Sequence, residues 1–186
     1  MNIGVNIGLP RALTVALAIV LLWGRPVAGQ RPATPRAEER LIREVRHELV
    51  MLPYYTVFDN LEYRVRGYEV TLTGQVTRPT LKADAEHAVK RIEGVEKVVN
   101  HIEVLPLSPA DDRIRRAVYR SLFSSNSPIF RYGWGAVPSI HIIVKGGRVT
   151  LAGVVDTDAD KNTAGLLANQ VAGIFSVTNK LEVKKT

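Results

Sequence analysis

The sequence predicts an α+β chain of two tandem two-layer α/β sandwiches, each running helix–strand–strand–helix–strand. Two observations carry that prediction. The first is an internal repeat: at an ungapped offset of 79 residues, residues 61–104 align with residues 140–183. Val70-Thr71-Leu72 falls on Val149-Thr150-Leu151, Gly74 on Gly153, Ala85 on Ala164, Gly94 on Gly173, Val98 on Val177, Asn100 on Asn179 and Val104 on Val183. Identities this dense at one offset mark a duplicated supersecondary unit. The second is the hydrophobic period, which switches within each unit from helical spacing to alternation and back.

The elements follow in order. Thr34-Pro35 opens a helix that carries Leu41, Val45, Leu49 and Leu52 at helical spacing and stops before Pro53. In a hairpin, Leu61, Tyr63 and Val65 point inward and Glu62, Arg64 and Arg66 outward. Val70 and Leu72 continue the inward set while Thr71 and Thr73 face out. The turns are Arg66–Glu69 and Lys145–Arg148. A second helix places Leu81, Ala85, Ala88, Val89 and Ile92 on one face, as Ala164, Leu167, Ala168 and Val171 do in the repeat. Gly94 and Gly173 then stand where a left-handed, helix-ending residue is wanted. The last strands are Val98–Val104 and Val177–Val183, parallel to the strand before the helix because such crossovers are right-handed. Each sheet is therefore three-stranded and mixed, with both helices on its one apolar face. The first helix of the second unit opens with Ser108-Pro109 and carries Ile114, Ala117, Val118 and Leu122.

Four glycines, Gly74, Gly94, Gly153 and Gly173, read as structural. Gly74 and Gly153 are expected to permit a close helix approach or a bulge. Asn100 and Asn179 lie on the inward side and are expected to satisfy a backbone group. Only Leu105-Pro106-Leu107 separates the units, too short for a flexible tether, so the two should touch. Units of about 70 residues bury marginal cores, and contact adds burial. Ile143, Ala152 and Val154 stand outward where the first unit has Arg64, Thr73 and Gln75. That asymmetry is either a contact surface or a tolerated drift.

Residues 1–29 read as a signal peptide. Arg11 precedes the uncharged run Ala12–Trp23, followed by Gly24, Arg25, Pro26 and the small residues before a cut after Gly29. Twelve helical residues fall short of a hydrocarbon core of about 30 Å. An uncleaved anchor over Ile3–Trp23 is the alternative. Residues 30–35 form a short leader. With no cysteine in the chain, a disulfide scaffold, a thiolate metal site, a cysteine nucleophile and a lipoprotein anchor are excluded.

The ordered set Val70–Val76, Ala85 and Ala88, Ile92–Val95 and Val98–Val104 resembles the BON domain (bacterial OsmY and nodulation). Val149–Val155, Val171–Ile174 and Val177–Val183 repeat it. The resemblance divides the mature chain into one BON domain over 36–106 and a second over 108–186. It implies an exported periplasmic protein, peripheral on a membrane, that binds phospholipid surfaces or envelope partners and supports envelope integrity or osmotic-stress tolerance. It implies no catalysis.

The residues themselves agree with a non-enzyme. No nucleophile elbow, phosphate loop or metal-spaced ligand set appears, so no catalytic residue, metal or cofactor is assigned. His47, His87, His101 and His141 are scattered and read as solvated or hydrogen-bonded. Glu38-Glu39 and Asp111-Asp112 sit in first helical turns, where negative charge suits the dipole. The formal charge of +7 is unevenly placed. Residues 1–29 hold two basic and no acidic residues, residues 30–107 hold 12 of each, and residues 108–186 hold 11 basic and six acidic. The mature excess belongs to the second unit.

That unit also has six extra residues before its first strand. The segment Phe123–Pro138 gathers Phe123, Ile129, Phe130, Tyr132 and Trp134 around Arg131. One reading is a membrane-interface wedge, since Trp and Tyr favour the headgroup level and Arg pairs with phosphate. The other is a loop folded back over the edge of the core. Arg113, Arg115, Arg116 and Arg120 lie on the preceding helix, and no acidic residue occurs from Arg113 to Val155. The candidate lipid- or partner-binding residues are thus Arg113, Arg115, Arg116, Arg120, Phe130, Arg131, Tyr132 and Trp134. The expected partner is an anionic phospholipid surface or an envelope protein. A structural adaptor using the aromatic loop or the sheet edges is the second reading. Nucleic acid fits charge and aromatics only superficially, and export argues against it.

Overall fold

The computed structural model describes residues 34–135 and 137–184. The expected signal peptide and most of the leader lie outside these residues. The first unit comprises α1 (Pro35–Val50), β1 (Asn60–Arg66), β2 (Glu69–Val76), α2 (Pro79–Lys90), β3 (Lys97–Asn100) and β4 (Glu103–Val104). The second comprises α3 (Pro109–Phe123), a 3-10 turn over Phe130–Gly133, β5 (Ile140–Lys145), β6 (Arg148–Val155), α4 (Asp158–Asn169), β7 (Ser176–Asn179) and β8 (Glu182–Val183). Among the described residues no helix is long and apolar enough to cross a membrane.

Both sheets are mixed. β1 and β2 pair antiparallel, and β3 and β4 both run parallel to β2; β5 to β8 repeat the pattern. The single last strand expected for each unit is thus two short pieces, and an asparagine causes the break. Asn100 Oδ1 accepts from the Ile102 amide at 3.0 Å while its Nδ2 donates to the Lys82 carbonyl at 3.0 Å. Asn179 repeats this with Leu181 and Lys161. The side chain replaces a ladder bond and ties the strand to the second helix.

α1, α3 and α4 start where their caps dictate, whereas α2 opens on Pro79 with no side-chain cap. Thr34, Ser108 and Thr157 accept from the amides of Ala37, Asp111 and Asp160, and proline follows the first two caps. Gly74 and Gly153 have φ of +110° and +118°. A Cβ there would lie 2.1 Å from the Asn60 carbonyl oxygen or 2.0 Å from that of Ser139. The close approach is therefore made by the neighbouring strand, not by a helix, and neither glycine forms a bulge, Gly74 pairing in register with Leu61 and Gly153 with Ile140. Gly94 and Gly173 adopt φ of +91° and +84° in the turns after α2 and α4.

Each unit encloses its own core. Leu41, Val45, Leu72, Leu81, Ala85 and Val89 fill the first; Val118, Leu122, Ile142, Leu151, Ala164 and Leu181 fill the second. The units also interlock. Val57, from the segment between α1 and β1, is buried in the second unit's core with Phe58 packed beside it. The Val57 carbonyl accepts from the Ile142 amide at 2.7 Å. On the outward face of β5, Tyr55 stacks on His141 and Glu103 pairs with Lys145. Ile143 and Ala152 on that face are 5% and 7% exposed. The asymmetry of the outward positions is thus a buried seam at these two residues, whereas Val154 stays exposed.

Candidate functional site

α3 carries two different arginine sets. Arg113, Arg116 and Arg120 recur at three- and four-residue spacing along one exposed stripe. With Ala110, Ile114, Ala117, Ala172 and Gly173 they line a shallow groove of ≈ 530 Å³ between α3 and the turn after α4. None of the three forms an ion pair among the described residues. Arg115 departs from the expected surface set. It is 5% exposed, pairs with Asp112 and donates to the Val144 carbonyl at 2.7 Å. Its guanidinium locks α3 to β5 and is not available to a ligand.

The aromatic segment also departs from a free wedge. Phe123, Ile129 and Tyr132 are buried in the second core, and Phe130 packs against it. The Tyr132 hydroxyl accepts from the Asp156 amide at 2.8 Å and from Arg131 at 2.9 Å, and lies 3.0 Å from an Asp160 carboxylate oxygen. Arg131 pairs with Asp156 and Asp160 and lies over the Tyr132 ring. The Thr157 hydroxyl, with Tyr132 and Arg131, holds the Asp160 carboxyl below its usual range. Most of the loop therefore covers the core edge, and the carboxylates that pair with its Arg131 come from Asp156, just after β6, and Asp160, in the first turn of α4. Among the described rings of the segment, Trp134 alone stands exposed, at 70%, and lies edge-on to Phe130.

The BON domain profile matches residues 38–106 and again 110–185. The chain belongs to the BON domain family. No curated protein shows significant sequence similarity to it. Solved structures that resemble it distantly include two of CdsD, a structural protein of the type III secretion system of Chlamydia trachomatis. One shares 15% identity over 78% of this chain and 94% of that one, with a TM-score of 0.29. The other, its C-terminal domain, shares 14% over 78% and 98%, with a TM-score of 0.31.

The two BON domains differ at this groove. The first has the corresponding groove, ≈ 480 Å³, lined by Arg43, Glu44, His47, Glu48, Ala88, Arg91 and Ile92. There Arg40 pairs with Glu44 at 3.1 Å and donates to the Glu93 carbonyl. With the offset of 73 in the first helices and 79 beyond the insertion, Glu44 corresponds to Ala117, Glu48 to Ser121 and Glu93 to Ala172. The arginines persist as Arg113 and Arg116 while their carboxylate neighbours are gone. The second groove is cationic by subtraction.

Three buried polar residues escaped the sequence reading. Asp111 is more than a first-turn charge: its carboxylate accepts from the Gly146 and Gly147 amides at 2.9 and 2.8 Å. Burial works to raise its pKa, but those amides and Arg115 hold it below the usual carboxylate range. Asp59 is fully buried and accepts from Thr56 and Thr77. His141, read as solvated or hydrogen-bonded, is 7% exposed at the inter-domain seam. Its Nδ1 has no partner at hydrogen-bond geometry, and its Nε2 lies 3.5 Å from the Tyr55 hydroxyl. Nothing in residues 140–145 signals this, because the burial comes from the other domain.

Burial pushes the His141 pKa below 6.5, outweighing the backbone of Asp59 and Thr56 and the Asp59 charge, and pushes the Tyr55 hydroxyl up to about 12. The unfolded chain therefore takes up a proton that the folded one resists. Stability falls as pH drops below about 6.5 and levels out once the folded histidine is itself protonated, with a slope of up to about 1.4 kcal/mol per pH unit. Denaturant titrations between neutral and mildly acidic pH should show this slope, reduced in a His141→Leu variant. An unchanged slope in that variant removes His141 as the cause.

Proposed function

We propose that this BON protein is a non-enzymatic binding protein of the cell envelope, whose second domain docks on anionic phospholipid surfaces and so supports envelope integrity or osmotic-stress tolerance. The observation that carries the reading is the groove in which Arg113, Arg116 and Arg120 stand without the carboxylates that balance the first domain's groove. Unpaired guanidinium groups along one exposed helix face match a plane of phosphates, and each basic side chain near such a surface adds about 1 kcal/mol. Export through a signal peptide cleaved near Gly29 completes the reading, and cell fractionation with N-terminal sequencing tests that part.

Vesicle flotation tests the groove. With phosphatidylglycerol present, wild type should float. A variant carrying Arg113→Glu, Arg116→Glu and Arg120→Glu together should bind about a hundredfold more weakly. Its melting temperature should hardly move, because exposed positions without partners contribute little to stability. Equal flotation of the two proteins would sink the lipid reading. An adaptor that binds another envelope protein is the second reading, favoured by the exposed Trp134. A Trp134→Ala pulldown that captures the same proteins as wild type argues against it.

A further inference from the structure

The most exposed aromatic ring of the second BON domain is not in the aromatic loop. Phe175, in the turn between α4 and β7, is 74% exposed. It stands two residues beyond Gly173, which lines the arginine groove. Its amide donates to the Gly147 carbonyl at 2.8 Å, which fixes the turn against the β5–β6 hairpin. Asp111 in turn holds that hairpin to the first turn of α3 through the Gly146 and Gly147 amides. Three chain segments are therefore clamped into one corner, and the arginine stripe starts from it at Arg113. The Arg148 guanidinium lies 4.5 Å over the Phe175 ring, adding a fourth cation and an ordered ring orientation.

The first BON domain shows what this corner is like without a purpose of that kind. At the offset of 79 residues, Phe175 corresponds to Glu96, Ala172 to Glu93 and Arg148 to Glu69. The backbone is the same: the Glu96 amide donates to the Tyr68 carbonyl at 2.9 Å, as Phe175 does to Gly147. Glu69 there pairs with Lys97. On one scaffold, three acidic side chains have become an exposed ring, a methyl group and an arginine. A solvated corner has no use for that exchange. A surface that is anionic outside and apolar just beneath does, because a ring flanked by cations then exchanges water for acyl chain while the cations keep to the phosphates.

We propose that Phe175 is an apolar wedge that enters an anionic bilayer beside the arginine groove, so that the domain approaches the membrane with the α3 N-terminal corner first. This deepens the lipid reading above and rests on it. Flotation on phosphatidylglycerol vesicles should show Phe175→Ala binding about tenfold more weakly than wild type. Phe175→Trp should restore binding, and Phe175→Glu, which copies the first domain, should weaken it further. The Phe175→Ala deficit, as a ratio to wild type, should persist at raised salt, where the contribution of the arginines is screened. Trp134→Ala should float as wild type does. If Phe175→Ala floats normally while the triple arginine variant sinks, the wedge is overturned and the groove stands. The same holds if Trp134→Ala, and not Phe175→Ala, loses binding. Failure of wild type to float overturns both.

Discussion

Replacing Gly153 by alanine should cost the second BON domain more than about 3 kcal/mol and leave it largely unfolded at modest temperature. Two effects act together. At φ +118° an L-residue is strained, at about 1–3 kcal/mol. The added methyl would also stand 2.0 Å from the Ser139 carbonyl oxygen, a backbone atom that cannot swing aside as a side chain would. The Ser139 carbonyl accepts from the Val154 amide at 3.0 Å, across the same pair of strands. Relief requires parting the start of the edge strand β5 from the central strand β6. Gly173→Ala is the control, because φ is also positive at +84° but nothing lies within 4 Å of the new methyl. It should cost only about 1–2 kcal/mol, the left-handed penalty alone. Thermal unfolding by circular dichroism separates the two. Equal losses in both variants would mean that the carbonyl contact does not matter.

The repeat made that pair of glycines conspicuous in the sequence, and it made the sheet and helix order readable for the same reason. Two copies of one unit average out local ambiguity, and an apolar position that recurs at a fixed offset marks a core. What stayed illegible depends on neighbours that are distant in the chain. Arg115 belongs by charge with Arg113 and Arg116. On a helical wheel, however, it lies only about 20° beyond Leu122, on the flank of the apolar stripe, while the other arginines lie on the opposite side. Whether a flanking arginine is buried depends on a carbonyl to receive it, and that carbonyl, Val144, is on a strand whose placement only the fold gives. The aromatic loop was ambiguous on composition, because rings that cover a core edge and rings that enter a membrane are the same residues. The Tyr132 hydroxyl against the Asp156 amide decides for cover.

The groove shows the opposite case, where the sequence held the information in a form that charge counting misses. A net excess in residues 108–186 says that cations outnumber anions. It does not say which cations are free. Arg113 is conspicuous only beside Arg40, whose Glu44 partner has become Ala117. Phe175 likewise stands where the first domain has Glu96. Divergence between two copies on one scaffold is informative because the fold is held constant, so what changes at a surface corner is not explained by packing.

Asp59→Ala should loosen both domains at once, with a loss of about 3–5 kcal/mol. The carboxylate is fully buried and has its full set of donors. One oxygen accepts from the Thr56 amide and hydroxyl at 3.0 and 2.6 Å, the other from the Thr77 amide and hydroxyl at 2.6 and 2.8 Å. Hydrogen bonds to charged groups contribute about 1.5–3 kcal/mol each, and alanine leaves two backbone donors unmet. Thr77 leads from β2 into α2 and belongs to the first domain. Thr56 precedes Val57, which is buried in the core of the second and bonds to Ile142. Asp59 is thus the joint through which the first domain holds the segment that completes the second. Asp59→Asn should recover only part of the loss, since its amide nitrogen presents hydrogens to one pair of donors. Val57→Ala, by contrast, should cost about 1–2 kcal/mol and act on the second domain alone. Hydrogen exchange gives the decisive readout. In Asp59→Ala the Ile142 amide should lose protection along with that of Thr77, although Ile142 lies in the other domain. If Thr77 opens while Ile142 stays protected, Asp59 serves the first domain only and the coupling must run through the Tyr55–His141 stack instead.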